Sequence, residues 1–306
     1  MNNSGNQAKG VTCLFLASLI WGTAFVAQRV GMDYVGPLTF NAVRSLIGAA
    51  VLIPVIFLLR VIRRRGGEVA DTVMNSGDWK NLLKGGCVCG VFLCIASNLQ
   101  QVGIKYTTVG KAGFITALYI VAVPILGIFL GKKAGLKIWI SVAAAVVGLY
   151  LLCMTERLTI GKGDLLELGC ALAFAFQILA VDHYSRITDG AMLSCAEFSV
   201  SGGLSAVLML FTEEVNPAAL RLAIIPLLYT GVLSCGVAYT LQILGQRELK
   251  PALASLIMSF EAVISAIAGW LILGQQLSIK ELAGCAVMFA AILLAQMPER
   301  AEDKKR

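Results

Sequence analysis

Three features of the chain predict an all-α integral membrane protein of ten transmembrane helices, arranged as two inverted five-helix repeats. The first is hydropathy, because ten apolar stretches each approach the roughly 20 residues that cross a bilayer. The second is duplication. Laying Gly103 on Gly245 brings Ala112, Ile115, Val121, Ile125 and Gly127 onto Ala254, Ile257, Val263, Ile267 and Gly269. Upstream in the same register, Ala96, Leu99 and Gln100 meet Ala238, Leu241 and Gln242; self-similarity over half a chain means two copies of one unit. The third is the distribution of lysine and arginine among the loops, which sets orientation.

Composition excludes the soluble classes. The 306 residues are 58% hydrophobic and 14% charged, with a mean hydropathy of +0.81, whereas a soluble domain carries about 25% charged residues. The net charge of +7 is spread over short inter-span clusters rather than one face, so lipid and not nucleic acid is the expected surroundings. The first apolar stretch is too long for the core of a cleaved signal and reads as the first span. The nine cysteines all fall inside or at the edge of apolar stretches, with no CxxC pair, and read as small buried side chains.

In order, the predicted spans are Val11–Val30, Pro37–Leu59, Leu82–Gly103, Val109–Leu130, Leu136–Met154, Asp164–Val181, Ala191–Phe211, Leu222–Leu244, Pro251–Leu273 and Ile279–Met297. Connections are short except Arg60–Asn81, whose RVIRRR run reads as a solvated anchor. With the N-terminus in the cytoplasm, the inner segments hold more than twice as many lysines and arginines as the outer ones. Both termini are therefore expected in the cytoplasm, in a bacterial cytoplasmic (inner) membrane. Five spans per copy is an odd number, so the copies insert with opposite orientation. The expected units are residues 9–154 and 161–297, followed by a basic cytoplasmic tail, 298–306. At span ends, Asp164 with Glu167 and Ser278 with Glu281 fit capping boxes, while Glu213 and Glu214 can stay in water.

Inverted repeats are the signature of alternating-access carriers, with substrate held near the midplane between the halves. An ionisable group at that depth costs at least about 2.5–3.5 kcal/mol and should face a cavity or a partner. Three qualify: Arg44, Glu197 and Glu261. In the register that lays Trp21 on Phe174, Arg44 falls on Glu197, so two equivalent spans carry opposite charges. The pair either contacts charged substrate groups or joins in a structural ion pair. Glu261, near the middle of the ninth span, is a candidate for reversible protonation and proton coupling, with Glu197 as the second, or else a neutral acid locking helices together. Asn98, Gln100, Gln101, Tyr239 and Gln242 are candidates for hydrogen bonds to substrate or between helices. Tyr119 occupies the position equivalent to Glu261. Lys111, where the helix dipole disfavours a cation, contacts an anionic substrate group or snorkels to the interface. Trp21 stacks on substrate or fills the core.

The order Trp21-Gly22, Arg44 and then Tyr106 through Pro124 (YTTxGKAGFITALYxxxxP) resembles the EamA-type branch of the drug/metabolite transporter superfamily. The second copy resembles the same unit through Tyr239, Pro251-Ala252, Ser259-Phe260-Glu261 and Leu273-Gly274. The resemblance implies a ten-helix secondary carrier with a central cavity, moving small polar metabolites. Amino acids or related compounds, exported in exchange for protons, are its leading cargo. This sequence departs from the pattern at Lys132 and Gln275, where a glutamate often follows the leucine-glycine turn, and at Ala262, where proline often follows the ninth-span glutamate.

Rival classes fare worse. GKGD at Gly161–Asp164 matches the GxGD of intramembrane aspartyl proteases, but the next aspartate on that span, Asp182, lies roughly 27 Å along the helix. One histidine, His183, cannot build an HExxH metal site or a serine–histidine pair within a span. There is no Walker A motif, and no cofactor or metal is expected. A channel or a non-transporting scaffold stays open as the alternative, and oligomeric state is not legible.

Overall fold

The computed structural model describes residues 2–65, 76–107, 109–153, 161–273 and 278–297, and no strand occurs among them. The first three spans are α1 (Asn2–Gly31), α2 (Pro37–Arg65) and α3 (Ser76–Tyr106). The fourth is α4 (Val109–Ala117) followed by α5 (Tyr119–Phe129), and the fifth is α6 (Leu136–Cys153). The second repeat begins with α7 (Lys162–Tyr184) and α8 (Gly190–Thr212). After the short α9 (Pro217–Leu222), the eighth span consists of α10 (Ile224–Leu228), a π-helical stretch (Tyr229–Ala238) and α11 (Tyr239–Glu248). The ninth is α12 (Pro251–Met258) followed by α13 (Glu261–Leu273), and the tenth is α14 (Ile279–Gln296). Among the described residues nine helical spans are long and apolar enough to cross a membrane, and the fifth contributes a shorter apolar helix, Leu136–Leu151.

Contacts at the helix ends establish that the repeats run in opposite directions. The Glu213 carboxylate, just past the end of α8, accepts from Leu38 N at 2.9 Å and Thr39 N at 2.8 Å, at the start of α2. Lys137, at the start of α6, donates to the Met297 carbonyl, just past the end of α14. Each contact joins the beginning of a first-repeat helix to the end of its equivalent in the second. The longest helix–helix interfaces obey the same exchange. α2 packs on α8 and α6 on α14, each pair its own counterpart, while α3 on α7 mirrors α11 on α1.

The fourth and ninth spans are both broken, and at equivalent residues. Leu118 N bonds to Ile115 O at 3.1 Å, and its counterpart Phe260 N bonds to Ile257 O at 3.1 Å. Val121 N to Leu118 O and Val263 N to Phe260 O, both 3.0 Å, repeat the match on the far side. These tight three-residue bonds replace the α-helical ladder for one turn. In the first copy Pro124 withholds a further backbone donor. In the second, the Ser18 hydroxyl from α1, 2.9 Å from Leu14 O on its own helix, also lies 3.1 Å from Ile257 O and 3.3 Å from Met258 O, within reach of the backbone at the break. Non-helical backbone at this depth is tolerated only where protein or a cavity surrounds it.

The main core lies where the repeats meet, with Leu14, Ile120, Leu149, Ile178, Leu256 and Met288 buried together. Large apolar side chains such as Phe129, Phe211 and Ile279 are more than four-fifths exposed, the outer surface that lipid requires.

Three expectations about element ends change. The Arg60–Asn81 connection is helical at both ends, because α2 continues to Arg65 and α3 starts at Ser76; residues 66–75 and the 298–306 tail lie outside the described residues. The helix after Gly161 starts at Lys162, so Asp164 is its third residue and accepts from Gly161 N at 2.7 Å. Glu167 consequently falls in the second turn, fully buried, rather than closing the cap. Glu213 is not left to water but caps α2, as described above. The Ser278–Glu281 box forms as expected.

Candidate functional site

The broken spans meet at the middle of the bundle beside a cavity of about 500 Å³ of empty space, open solvent at its mouth included. Four of its walls are equivalent pairs from the two repeats: Trp21 with Phe174, Phe25 with Ile178, Gln100 with Gln242, and Tyr119 with Glu261. Gln28, Arg44, Ser234, Tyr239 and Met258 complete the lining. The mixture of apolar walls with few polar groups suits a small-molecule site.

Glu261 and Tyr119 each begin the second half of a broken span, and they touch. The Tyr119 hydroxyl donates to Glu261 Oε1 at 3.0 Å. The local duplication therefore ends in a direct contact between equivalent but chemically different residues. Glu261 is 7% exposed and also lies at the N-terminal end of α13. Gly22 of the Trp21-Gly22 pair lets α1 approach this point: a Cβ there would stand 2.4 Å from Ile264 Cβ and 2.8 Å from Glu261 O.

Arg44 also lines the cavity, 6% exposed. Its Nε donates to Asn41 Oδ1 at 2.9 Å, and Asn41 Nδ2 in turn donates to Asn98 Oδ1 at 2.8 Å and Ser97 Oγ at 3.0 Å. Asn98 Nδ2 continues to Ser205 Oγ on α8 at 2.9 Å. Asn98 is thus a strut behind Arg44 and not part of the lining. No carboxylate is paired with Arg44 among the described residues, so the cavity holds one guanidinium and one carboxyl group without a salt bridge between them. Aromatic rings form part of the wall. Trp21 and Phe198 each meet Tyr239 edge-on, with centroids 4.9 Å apart. Trp21 Nε1 is buried with no partner among the described residues.

Of the residues singled out in the sequence, Trp21, Arg44, Gln100, Tyr119, Tyr239, Gln242 and Glu261 line the cavity. Glu197 is fully buried behind the wall, with Gln177 Nε2 donating to its Oε2 at 3.4 Å. Gln101 is fully buried, and neither end of its amide has a partner among the described residues. Lys111 sits in the first turn of α4, and its side chain lies outside the described residues. Phe25, Gln28, Phe174, Ile178, Ser234 and Met258 are not singled out as site residues by the sequence reading. Phe25 and Ile178 carried a signal, since they are paired by the register that pairs Trp21 with Phe174. Ser234 did not, because the π-helical stretch shifts the facing of its span.

Duplicated, oppositely directed five-helix units with broken helices around a central polar cavity define an integral membrane transporter of the inverted-repeat kind. The chain belongs to the EamA-like transporter family, whose model matches residues 8–154 and 161–297, and with it to the drug/metabolite transporter superfamily. It is 30% identical over 93% of its length to 84% of an uncharacterized transporter of Archaeoglobus fulgidus. It is 25% identical over 90% of its length to 93% of the uncharacterized transporter YoaV of Bacillus subtilis. A chloroplastic WAT1-related protein of Arabidopsis thaliana is 25% identical over 94% of this chain and 69% of its own. One crystal structure, 18% identical, superimposes with a TM-score of 0.75 over 94% of this chain and 96% of its own, which establishes likeness of fold.

Proposed function

We propose that the protein is a secondary carrier that moves small polar metabolites by alternating access. Amino acids or related compounds are the leading cargo, exported across a bacterial cytoplasmic membrane in exchange for protons. The observation that carries this reading is the pairing of one unbridged guanidinium, Arg44, with one carboxyl group, Glu261, in a single aromatic-walled cavity between the repeats. A zwitterion has the complementary charges, Arg44 for its carboxylate and Glu261 for its ammonium. The same Glu261 is the coupling group: a proton taken from one side competes with the substrate ammonium for the carboxylate. Glu197 is the second proton-carrying candidate. In this reading residues 9–154 and 161–297 are the two moving units, with both chain termini in the cytoplasm and transport, not catalysis, as the output.

The experiment is counterflow in proteoliposomes loaded with an unlabelled L-amino-acid mixture and supplied externally with trace labelled mixture. Transient, saturable accumulation is expected. Linear, non-saturating uptake would mean a channel, and no uptake would remove this cargo. Glu261→Gln is expected to abolish accumulation driven by an imposed pH gradient; undiminished gradient-driven flux would end the coupling role.

A further inference from the structure

The two equivalent glutamines of the cavity wall are each backed by a buried carboxyl group that never reaches the cavity. Gln100 Nε2 donates to Thr116 Oγ1 at 3.5 Å, and Thr116 Oγ1 donates to Glu167 Oε2 at 2.8 Å. Gln242 Nε2 donates to Gln177 Oε1 at 3.2 Å, and Gln177 Nε2 donates to Glu197 Oε2 at 3.4 Å. Both relays are directional: each donor points away from the cavity towards an acid. Neither Glu167 Oε1 nor Glu197 Oε1 has a partner among the described residues, and both side chains are fully buried. The room for Glu167 is built in, since a Cβ on Gly103 would stand 2.5 Å from its Oε1.

A carboxylate accepts only, whereas a carboxylic acid also donates. With Glu167 ionised, Thr116 must give it the hydroxyl proton and accept from the Gln100 amide nitrogen, which turns the Gln100 carbonyl oxygen to the cavity. With Glu167 protonated, its O–H can donate to Thr116 Oγ1, the Thr116 hydroxyl reverses, and the Gln100 carbonyl turns back to receive it. The amide NH₂ then faces the cavity. We propose that Glu167 is a positioning residue whose protonation, relayed by Thr116, decides whether Gln100 offers the substrate a hydrogen-bond acceptor or a donor. The Glu197–Gln177–Gln242 chain has the same logic on the second repeat. One proton bound outside the cavity thereby inverts the polarity of a binding group inside it, with no contact between proton and substrate. The titratable group acting on Glu167 is Asp164, one turn before it on α7, and Glu167 in turn acts on Cys170, one turn after it; α3 and α4 present Gly103 and Thr116 to it.

This use of Gln100 rests on the cavity being the substrate site, but its test needs no substrate. Infrared difference spectra of the purified protein in lipid, recorded between mildly acidic and mildly alkaline buffer, resolve carboxyl and glutamine side-chain bands. A protonated-carboxyl band lost in Glu167→Gln and a glutamine band lost in Gln100→Leu identify the two groups. In Thr116→Val the Glu167 band is expected to remain and the Gln100 band to disappear, and in Thr116→Ser the Gln100 band is expected to return. A Gln100 band that survives in Thr116→Val, or a Glu167 that shows no titration band, would overturn the relay. Failure there leaves the carrier reading standing, and failure of counterflow leaves the relay standing.

Discussion

Glu213 illustrates how one residue can be misread from sequence. An acidic pair at a span end looks like a solvated terminus, yet the Glu213 carboxylate takes two backbone N–H groups and the Thr39 hydroxyl, the last at 2.7 Å, on a helix of the other repeat. It supplies the missing partners of the first turn of α2 and the negative charge that an N-terminus favours. Glu213→Ala should therefore destabilise the protein by about 1–2 kcal/mol, read as a lower midpoint in thermal unfolding in detergent, while Glu214→Ala serves as the control with little effect. Lys132 is the opposite case. The sequence marks it as a departure from the family pattern, and the structure gives that departure a partner, because Lys132 forms an ion pair with Asp182, which also receives Arg186 Nη2 at 3.0 Å. The Asp182 side chain is 6% exposed, while Lys132 and Arg186 reach it from positions 32% and 50% exposed, so solvent screens the cations more than the acid.

At the scale of elements, the breaks in the fourth and ninth spans matter most, and hydropathy does not reveal them. A window of apolar residues reads the same whether or not the helix inside it loses a turn. The duplication does carry the information, because Leu118 and Phe260 are equivalent positions and both interrupt their helices with the same hydrogen bonds. Ser18 is the polar side chain that α1 brings to the second break, with its hydroxyl shared between Leu14 O on its own helix and Ile257 O and Met258 O at the break. Ser18→Ala should cost about 1 kcal/mol by removing a hydroxyl within reach of Met258 O, which the break leaves without its helical donor, measured as reduced thermal stability in detergent. Thr at the same place should retain most of it. An effect no larger than that of an exposed-serine control such as Ser199→Ala would show that the break needs no support from α1.

At the scale of the molecule, the Lys132–Asp182–Arg186 group ties the repeats together at the end that holds the chain termini, and Arg186 Nη2 extends it to Leu249 O at 3.4 Å. A carrier working as proposed must open that end, and this tie must part when it does. Asp182→Asn should then raise, several-fold, the rate at which an impermeant maleimide labels a cysteine placed at Gln246, now fully buried between the cavity and the tie, in a background lacking native cysteines. Unaltered labelling would mean that apolar packing alone holds that end shut. The sequence by itself determined the all-α membrane class, the duplication and, through loop charge, the inversion of the copies. These follow from hydropathy, repetition and the odd number of spans, which survive without coordinates. It also identified most of the polar cavity residues, because an ionisable or amide side chain deep in a span has few places to go. Only the tertiary structure decided which of them share the cavity. It separated Arg44, in the lining, from its equivalent Glu197 behind it, and turned Glu167 from a helix cap into a buried acid. Those outcomes depend on which face of a helix a neighbour covers, and on a one-turn shift in where a helix begins or breaks. Across the breaks, the central duplication that sequence reads as two matched segments becomes a single site, with Tyr119 and Glu261 in contact at its centre.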